Sequence, residues 1–439
     1  MSTPKVTEFY LFKVGALWHY FKQESFSFWM ICCYLFFEFV RPQAIFPVID
    51  FLPWAQIFII LSFVGLVLDK SIKWTPSSSN IWMILFLATI IISINTAYYP
   101  DFSKQYFMDF FGWFLIYFLI INIINTPERF YIFLLIFIIT AAKIAVGTAK
   151  AWVGRGFAFT SWGLMGPRGY FQNSGELAIL MLMLFPLAYL LYAASKYRAG
   201  IWERRVLLIF WICPILTILG ASSRGSQIAL TVQLLLIFRK SMFKLKPLLG
   251  ISILCLGLFL LLPEEQKQRF SSVGEDRTSR QRLLYWEHGW DMMKENPFFG
   301  VGYFNFIPYY RDYFPQDMLY EHAELPHNIF IQVGTDTGFI GLFFFIMIII
   351  FCLKKTREIS KQEDIDPLWK AMAAGLGYGV FGFLIAGQFV TVTYYPFLWI
   401  HLSLIVSLNA VILKNRTALQ RADNTSGQPT TPSITSIDK

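Results

Sequence analysis

Residues 328–353 read NIFIQVGTDTGFIGLFFFIMIIIFCL, and this stretch decides the fold class. From Phe339 to Leu353 it is almost purely apolar, and as a whole it exceeds the about 20 residues that cross a bilayer as one helix. Its first half is unlike a plain lipid-facing span. Asp336 sits there among Gly334, Thr335, Thr337, Gly338 and Gly341. Small residues at such spacings permit close helix packing, which is the role read for Gly338 and Gly341. Asp336 is an ionisable group at membrane depth and is expected to have a structural partner, a buried arginine or a hydroxyl.

Runs of the same kind recur along the chain, near 26–40, 52–69, 79–97, 106–124, 130–149, 175–194, 206–221, 225–239, 246–263, 368–388 and 392–413. The 439 residues are 56% hydrophobic and 18% aromatic against 15% charged, where soluble proteins hold about 45–50% apolar and 25% charged residues. A soluble protein is excluded. Twelve spans take about 240 residues, so only loops remain between them and no large soluble domain fits. The expectation is an all-α membrane protein of about 12 transmembrane helices.

Lysine and arginine sort by alternate loops. Lys70 and Lys73; Arg129; Lys196, Arg198, Arg204 and Arg205; Arg239, Lys240, Lys244 and Lys246; and Lys354, Lys355, Arg357 and Lys361 all fall on one side with the N-terminal lysines and Lys414, Arg416 and Arg421. By the positive-inside rule that side is the cytoplasm, with both termini on it. The expected organisation is a cytoplasmic arm over 1–25, spans one to nine over 26–263, a large periplasmic loop over 264–326, spans ten to twelve over 327–413, and a disordered cytoplasmic tail over 414–439. Residues 1–25 lack the short apolar core and small-residue cleavage site of a signal peptide. The net charge of +9 is spent on this topology, so it carries no argument for nucleic acid. Cys32, Cys33, Cys213, Cys255 and Cys352 are odd in number and lie in apolar runs, so no disulfide framework is expected. No cysteine or histidine spacing points to a metal.

Once the cytoplasmic charge is set aside, only a handful of ionisable residues sit at the external membrane face, and each needs a reason. Arg224 lies in Ser222-Ser223-Arg224-Gly225-Ser226, a turn between two spans with almost no hydrophilic loop to lift it into water. In the outer loop, helical spacing places Arg282, Trp286, Trp290 and Met293 on one stripe of a surface helix, aromatic face toward the membrane. That helix ends at Asn296-Pro297 and is followed by a turn at Gly300-Val301-Gly302. His327, in Leu325-Pro326-His327-Asn328, opens the tenth span. At a helix N-terminus the macrodipole disfavours imidazolium and attracts anions, which suits a general base. His322 competes for that role, whereas His401, inside the last span, is read as packing or a local hydrogen bond.

Together, Ser223-Arg224-Gly225, Arg282-x-x-x-Trp286 through Asn296-Pro297-x-x-Gly300-Val301-Gly302, and His327-Asn328 with Gly338-x-x-Gly341 resemble the O-antigen ligase and polymerase superfamily of bacterial membrane glycosyltransferases. Arg168-Gly169-Tyr170-Phe171-Gln172-Asn173 and Phe37-Glu38-Phe39-Val40-Arg41-Pro42-Gln43 add to the resemblance, which spans residues 150–410 apart from the last motif. It implies a GT-C-like fold in the bacterial inner membrane. It also implies a glycan donor on undecaprenyl diphosphate, and transfer at the periplasmic face to lipid A-core or a growing glycan. Arg224 and Arg282 then hold the diphosphate, since arginine forks match phosphate oxygens. His327 takes the proton of the acceptor hydroxyl, and Arg168, Arg280, His322 and Asn328 are further substrate-binding candidates. Direct attack inverts the anomeric carbon, and neither metal nor cofactor is expected. The acceptor separates ligase, placed first, from polymerase and from protein O-oligosaccharyltransferase; the absence of a further C-terminal soluble domain counts against the last. A flippase or transporter needs charges reachable from both faces and often two related halves, neither of which the sequence displays.

Overall fold

The computed structural model describes residues 13–69, 74–160, 163–195, 199–242 and 276–426, and these form helices and loops with no strand among them. The helices are α1 (Val14–Lys22), α2 (Phe26–Val40), α3 (Trp54–Leu68), α4 (Ser78–Thr96), α5 (Pro100–Ile123), α6 (Pro127–Gly154), α7 (Ser174–Ser195), α8 (Ile201–Gly220) and α9 (Arg224–Met242). Further along come α10 (Arg277–Glu295), α11 (Phe306–Tyr313), α12 (Ile329–Lys361), α13 (Pro367–Ala386) and α14 (Pro396–Ser426). Among the described residues eight helices are long and apolar enough to cross a membrane. They are α2 with its short extension to Ile45, α4 to α7, α12, α13 and the Pro396–Asn415 part of α14; α3 is apolar but shorter. Each expected span except 246–263 overlaps a helix. Segment 246–263, loop residues 264–275, the first part of the N-terminal arm and tail residues 427–439 lie outside the described residues.

Helix starts follow local chemistry. Proline occupies the first turn of α5, α6 and α13, where its missing N–H has no partner to lose. Ser77, Thr126 and Asp366 accept backbone amides as N-caps of α4, α6 and α13. At the end where α1 meets α2, Arg129 bridges Glu24 at 2.6 Å, tying the start of α6 to that corner. The span of α14 is almost wholly buried, with Trp399 stacked on Phe86 of α4 and edge-on to Phe110 of α5. His401 lies in this interior, its Nε2 2.9 Å from the Leu376 carbonyl, a local hydrogen bond as expected. Cys32, Cys33, Cys213 and Cys352 are free thiols.

Three expectations change. Residues 414–426 continue α14 as helix instead of opening a disordered tail, because helix-favouring residues directly follow the span. Helix α10 is rotated by one residue from the expected stripe: Gln281, Tyr285, Gly289, Met292 and Met293 are its buried residues, and Trp290 is exposed. The partner of its buried face is protein, not lipid. Tyr285 packs edge-on to Phe306 and Tyr310 of α11, and Met293 fills the space beside Gly334 of α12.

The third change concerns Gly338. With φ 65° and ψ −170° it breaks α12 instead of serving an unbroken packing face, a conformation essentially restricted to glycine. The Asn296–Gly302 turn enters the break. Val301 N–H donates to the Thr335 carbonyl at 2.8 Å, and Phe339 N–H donates to the Pro297 carbonyl at 2.8 Å. A Cβ on Gly338 would lie 2.4 Å from the Phe298 carbonyl carbon. Asp336 completes the joint by accepting from Phe304 N–H at 3.0 Å, and the Tyr394 hydroxyl beside it is the hydroxyl partner that was expected. Ser93 of α4 donates to the Asp336 carbonyl. Gly341 does allow close packing: a Cβ there would come 3.2 Å from Thr89 of α4.

Candidate active site

The turn after α8, the described part of the α9–α12 connection with α10, the start of α12 and the α13–α14 connection meet at one end of the bundle. They enclose a cavity of about 630 Å³ whose walls include Arg224, Arg282 and His327. Three residues singled out in separate parts of the sequence thus share one chamber.

Arg224 is the first residue of α9, following Ser222 in a left-handed conformation with φ 56°. The next position must be small, because a Cβ on Gly225 would sit 2.5 Å from the Phe389 ring. Arg224 Nη2 lies 3.0 Å from Asp276 Oδ2. Asp276 is also the N-cap of α10: Oδ1 accepts Ser279 N–H at 2.9 Å and Oδ2 accepts the Ser279 hydroxyl at 2.8 Å. Burial pushes this carboxyl up, but the Ser279 donors and the Arg224 guanidinium outweigh it and hold it below the ordinary carboxylate range. Asp276 therefore joins the helix that bears Arg282 to the turn that bears Arg224.

Arg282 differs from Arg224 in having no such clamp. Its Nε is buried without a hydrogen-bond partner among the described residues. Burial, then the nearby Arg224 charge, lower its pKa, offset in part by Asp276 and Glu324. Leaving a buried cationic donor unpaired is costly, and an anion entering the cavity relieves that cost.

His327 precedes the helix cap and holds φ 51°. Its N–H donates to Thr391 Oγ1 at 2.9 Å, and its Nε2 lies 3.1 Å from Glu324 Oε2. The His327 contact first of all lowers the Glu324 pKa; burial opposes, and Arg282 helps. An ionised carboxylate only accepts, so in the neutral imidazole the proton sits on Nε2 and Nδ1 is the accepting nitrogen. Glu324 is in turn held by α10. Its N–H donates to the Tyr285 hydroxyl at 2.8 Å, and Trp286 Nε1 donates to the Pro326 carbonyl at 2.9 Å.

The other sequence candidates lie elsewhere. Asn328 is the N-cap of α12, its Oδ1 accepting from the Phe330 and Ile331 amides, so its side chain is committed to the helix. Arg168, Arg280 and His322 are exposed and are not among the residues lining the cavity. Asp276 and Glu324 escaped the sequence reading. The signal for Asp276 was its N-cap spacing to Ser279, and for Glu324 the three-residue spacing to His327. Among the described residues no three histidine, cysteine or acidic side chains gather to hold a metal ion.

No curated protein matches the chain. A family model described as O-antigen ligase matches residues 207–346, a stretch running from within α8 into α12 that contains Arg224, Asp276, Arg282, Glu324 and His327. Members of that family are glycosyltransferase-like enzymes of O-antigen and polysaccharide synthesis. The match covers under half of the chain, and over that stretch, beside the apolar helices, it supports a likeness to the O-antigen ligase superfamily.

Proposed function

We propose that the protein is an inverting, metal-independent glycosyltransferase of the O-antigen ligase type. It moves a glycan from undecaprenyl diphosphate to a hydroxyl of lipid A-core at the periplasmic face of the bacterial inner membrane. The observation that carries this reading is the partnerless Arg282 guanidinium in a cavity shared with Arg224 and the His327–Glu324 pair. Two cations facing one chamber suit a diphosphate, whose charge grows as it leaves.

In this reading Arg282 and Arg224 bind the diphosphate, and Asp276 fixes the distance between their backbones. His327 Nδ1 takes the proton of the acceptor hydroxyl as its oxygen forms the bond to the anomeric carbon. The bond from that carbon to the phosphate oxygen breaks, and its electron pair leaves with the diphosphate. Glu324 stabilises the imidazolium that forms, as the carboxylate of a catalytic triad does. One displacement gives inversion.

The test is transfer by the purified full-length chain from a defined undecaprenyl-diphosphate glycan, offered lipid A-core or a second lipid-linked repeat unit, with chelator present. Product on lipid A-core supports the ligase reading, and product on the second repeat unit replaces it by a polymerase. Transfer to neither, with translocation of the lipid across vesicles, overturns the enzyme reading.

A further inference from the structure

A second cavity, of about 410 Å³, opens at the outer ends of α2 and α3, beyond the residues that match the family model. Its walls include Glu38, Arg41, Gln43, Asp50, Trp54 and Tyr170. Two acceptors in it have no protein donor among the described residues, one of them buried. Glu38 has no hydrogen-bond or ion-pair partner among the described residues. Gln43 is 9% exposed and its Oε1 is buried without a partner. Arg41, held left-handed at φ 52°, gives one guanidinium N–H to the Arg168 carbonyl.

The buried Gln43 carbonyl oxygen without a donor, beside the half-buried Glu38 carboxyl, asks for a ligand rich in hydroxyls. The Trp54 and Tyr170 rings supply the apolar surface on which the C–H face of a sugar ring lies. Two acidic side chains, Glu38 and Asp50, accompany the single guanidinium of Arg41 here, whereas two arginines face the first cavity. The two chambers are near neighbours through side-chain contacts. Tyr170 lies 5.2 Å from the Tyr395 ring, whose hydroxyl donates to Glu176 at 2.6 Å. Tyr395 and Glu176 line an intermediate cavity of about 390 Å³ that shares Asn173 and Ser174 with the cationic one. Beside the second cavity Phe46, Val48 and Phe51 project outward, where a bilayer would meet them. A lipid-anchored saccharide at headgroup level has access.

We propose that the Glu38–Asp50–Trp54 cavity is a saccharide subsite that binds an uncharged sugar ring of the donor glycan or of the acceptor. The proposal rests on the glycosyl-transfer reading. The experiment uses the full-length chain in lipid nanodiscs and two probes: inorganic pyrophosphate, and the free oligosaccharide released by mild acid from the undecaprenyl-diphosphate donor. Glu38→Gln and Trp54→Ala each weaken oligosaccharide binding about ten-fold or more while pyrophosphate binding, which reports an intact fold, is kept. Arg282→Gln does the opposite. In the transfer assay a raised KM for acceptor assigns the subsite to the accepting sugar, and a raised KM for donor assigns it to the donor glycan. Unchanged oligosaccharide binding in both Glu38→Gln and Trp54→Ala overturns the proposal, as does no oligosaccharide binding by the wild type. Loss of pyrophosphate binding alone strikes at the diphosphate clamp and leaves the subsite standing.

Discussion

The family-matched stretch builds two polar regions, and they are made in opposite ways. Around Gly338 the polar groups are nearly consumed by the protein: the Thr335 carbonyl takes Val301 N–H, the Pro297 carbonyl takes Phe339 N–H, and Asp336 takes Phe304 N–H. Around Arg282 and His327 the polar groups are oriented but unfinished, with Arg282 Nε lacking a partner and Nδ1 of His327 left to accept. Polar atoms in a membrane protein are costly in either setting. The joint at Gly338 meets that cost with its own backbone, while the cavity leaves it to a ligand. Substitutions in the first region therefore act on folding, and those in the second on chemistry.

The largest expected effects test that division directly. Arg282→Ala and His327→Ala lower kcat/KM by about 10³-fold, roughly 4 kcal/mol of transition-state stabilisation, with thermal stability and membrane insertion unchanged. A parallel fall in Tm breaks the comparison, because the cavity would then be part of the folding core. Gly338→Val does the reverse. A branched side chain at φ 65°, against the Phe298 backbone, costs at least about 2 kcal/mol of stability, read as a lower Tm and a poorer yield of folded protein. Normal Tm in this variant would show that the break is not required.

Asp276→Asn probes the link between the two arginines. Asparagine still accepts the Ser279 amide and caps α10, but the charge that holds Arg224 is gone. Transfer falls about ten-fold, about 1.4 kcal/mol of transition-state stabilisation, because Arg224 is no longer held in place, and Tm falls modestly with the loss of the partly exposed ion pair. Glu324 sharpens the same point through pH. Its folded pKa is depressed, first of all by His327, so its contribution is present above the ordinary carboxylate pKa of about 4.3 and is lost as pH falls through the lower folded value. Thermal stability then shows no loss from this pair at neutral pH and a decline only in acid. Glu324→Gln removes that part of the acid decline.

How much of this was legible in the sequence follows from where the information resides. Spans are local: an apolar run is its own signal, and the positions of α4 to α7 and of α12 to α14 follow from it. Arg224, Arg282 and His327 stood out because each falls in or beside an apolar or aromatic run, where an ionisable group needs a reason. Asp276 did not, because its value comes from meeting Arg224, 52 residues earlier in the chain. Gly338 was misread for a related reason. A glycine inside an apolar helix pattern looks like a packing residue until the turn at Pro297–Val301 is seen to enter the helix there. The rotation of α10 came from assigning its buried face to lipid, when α11 and α12 cover it.

The smallest expected effects concern residues that share chemistry with the site but not its position. Arg280 is two residues from Arg282 on α10, and that spacing turns it about 200° around the helix, away from the cavity. His322 is exposed in the loop before His327. Arg168 offers its carbonyl to Arg41 while its side chain is exposed. Arg280→Ala, His322→Ala and Arg168→Ala should each leave kcat within about two-fold of wild type, the range of surface substitutions. A ten-fold loss in any one of them would mean that the glycan reaches beyond the cavity walls. For Arg168, whose main chain anchors Arg41, such a loss appearing in KM alone would place the sugar on the path toward Glu38.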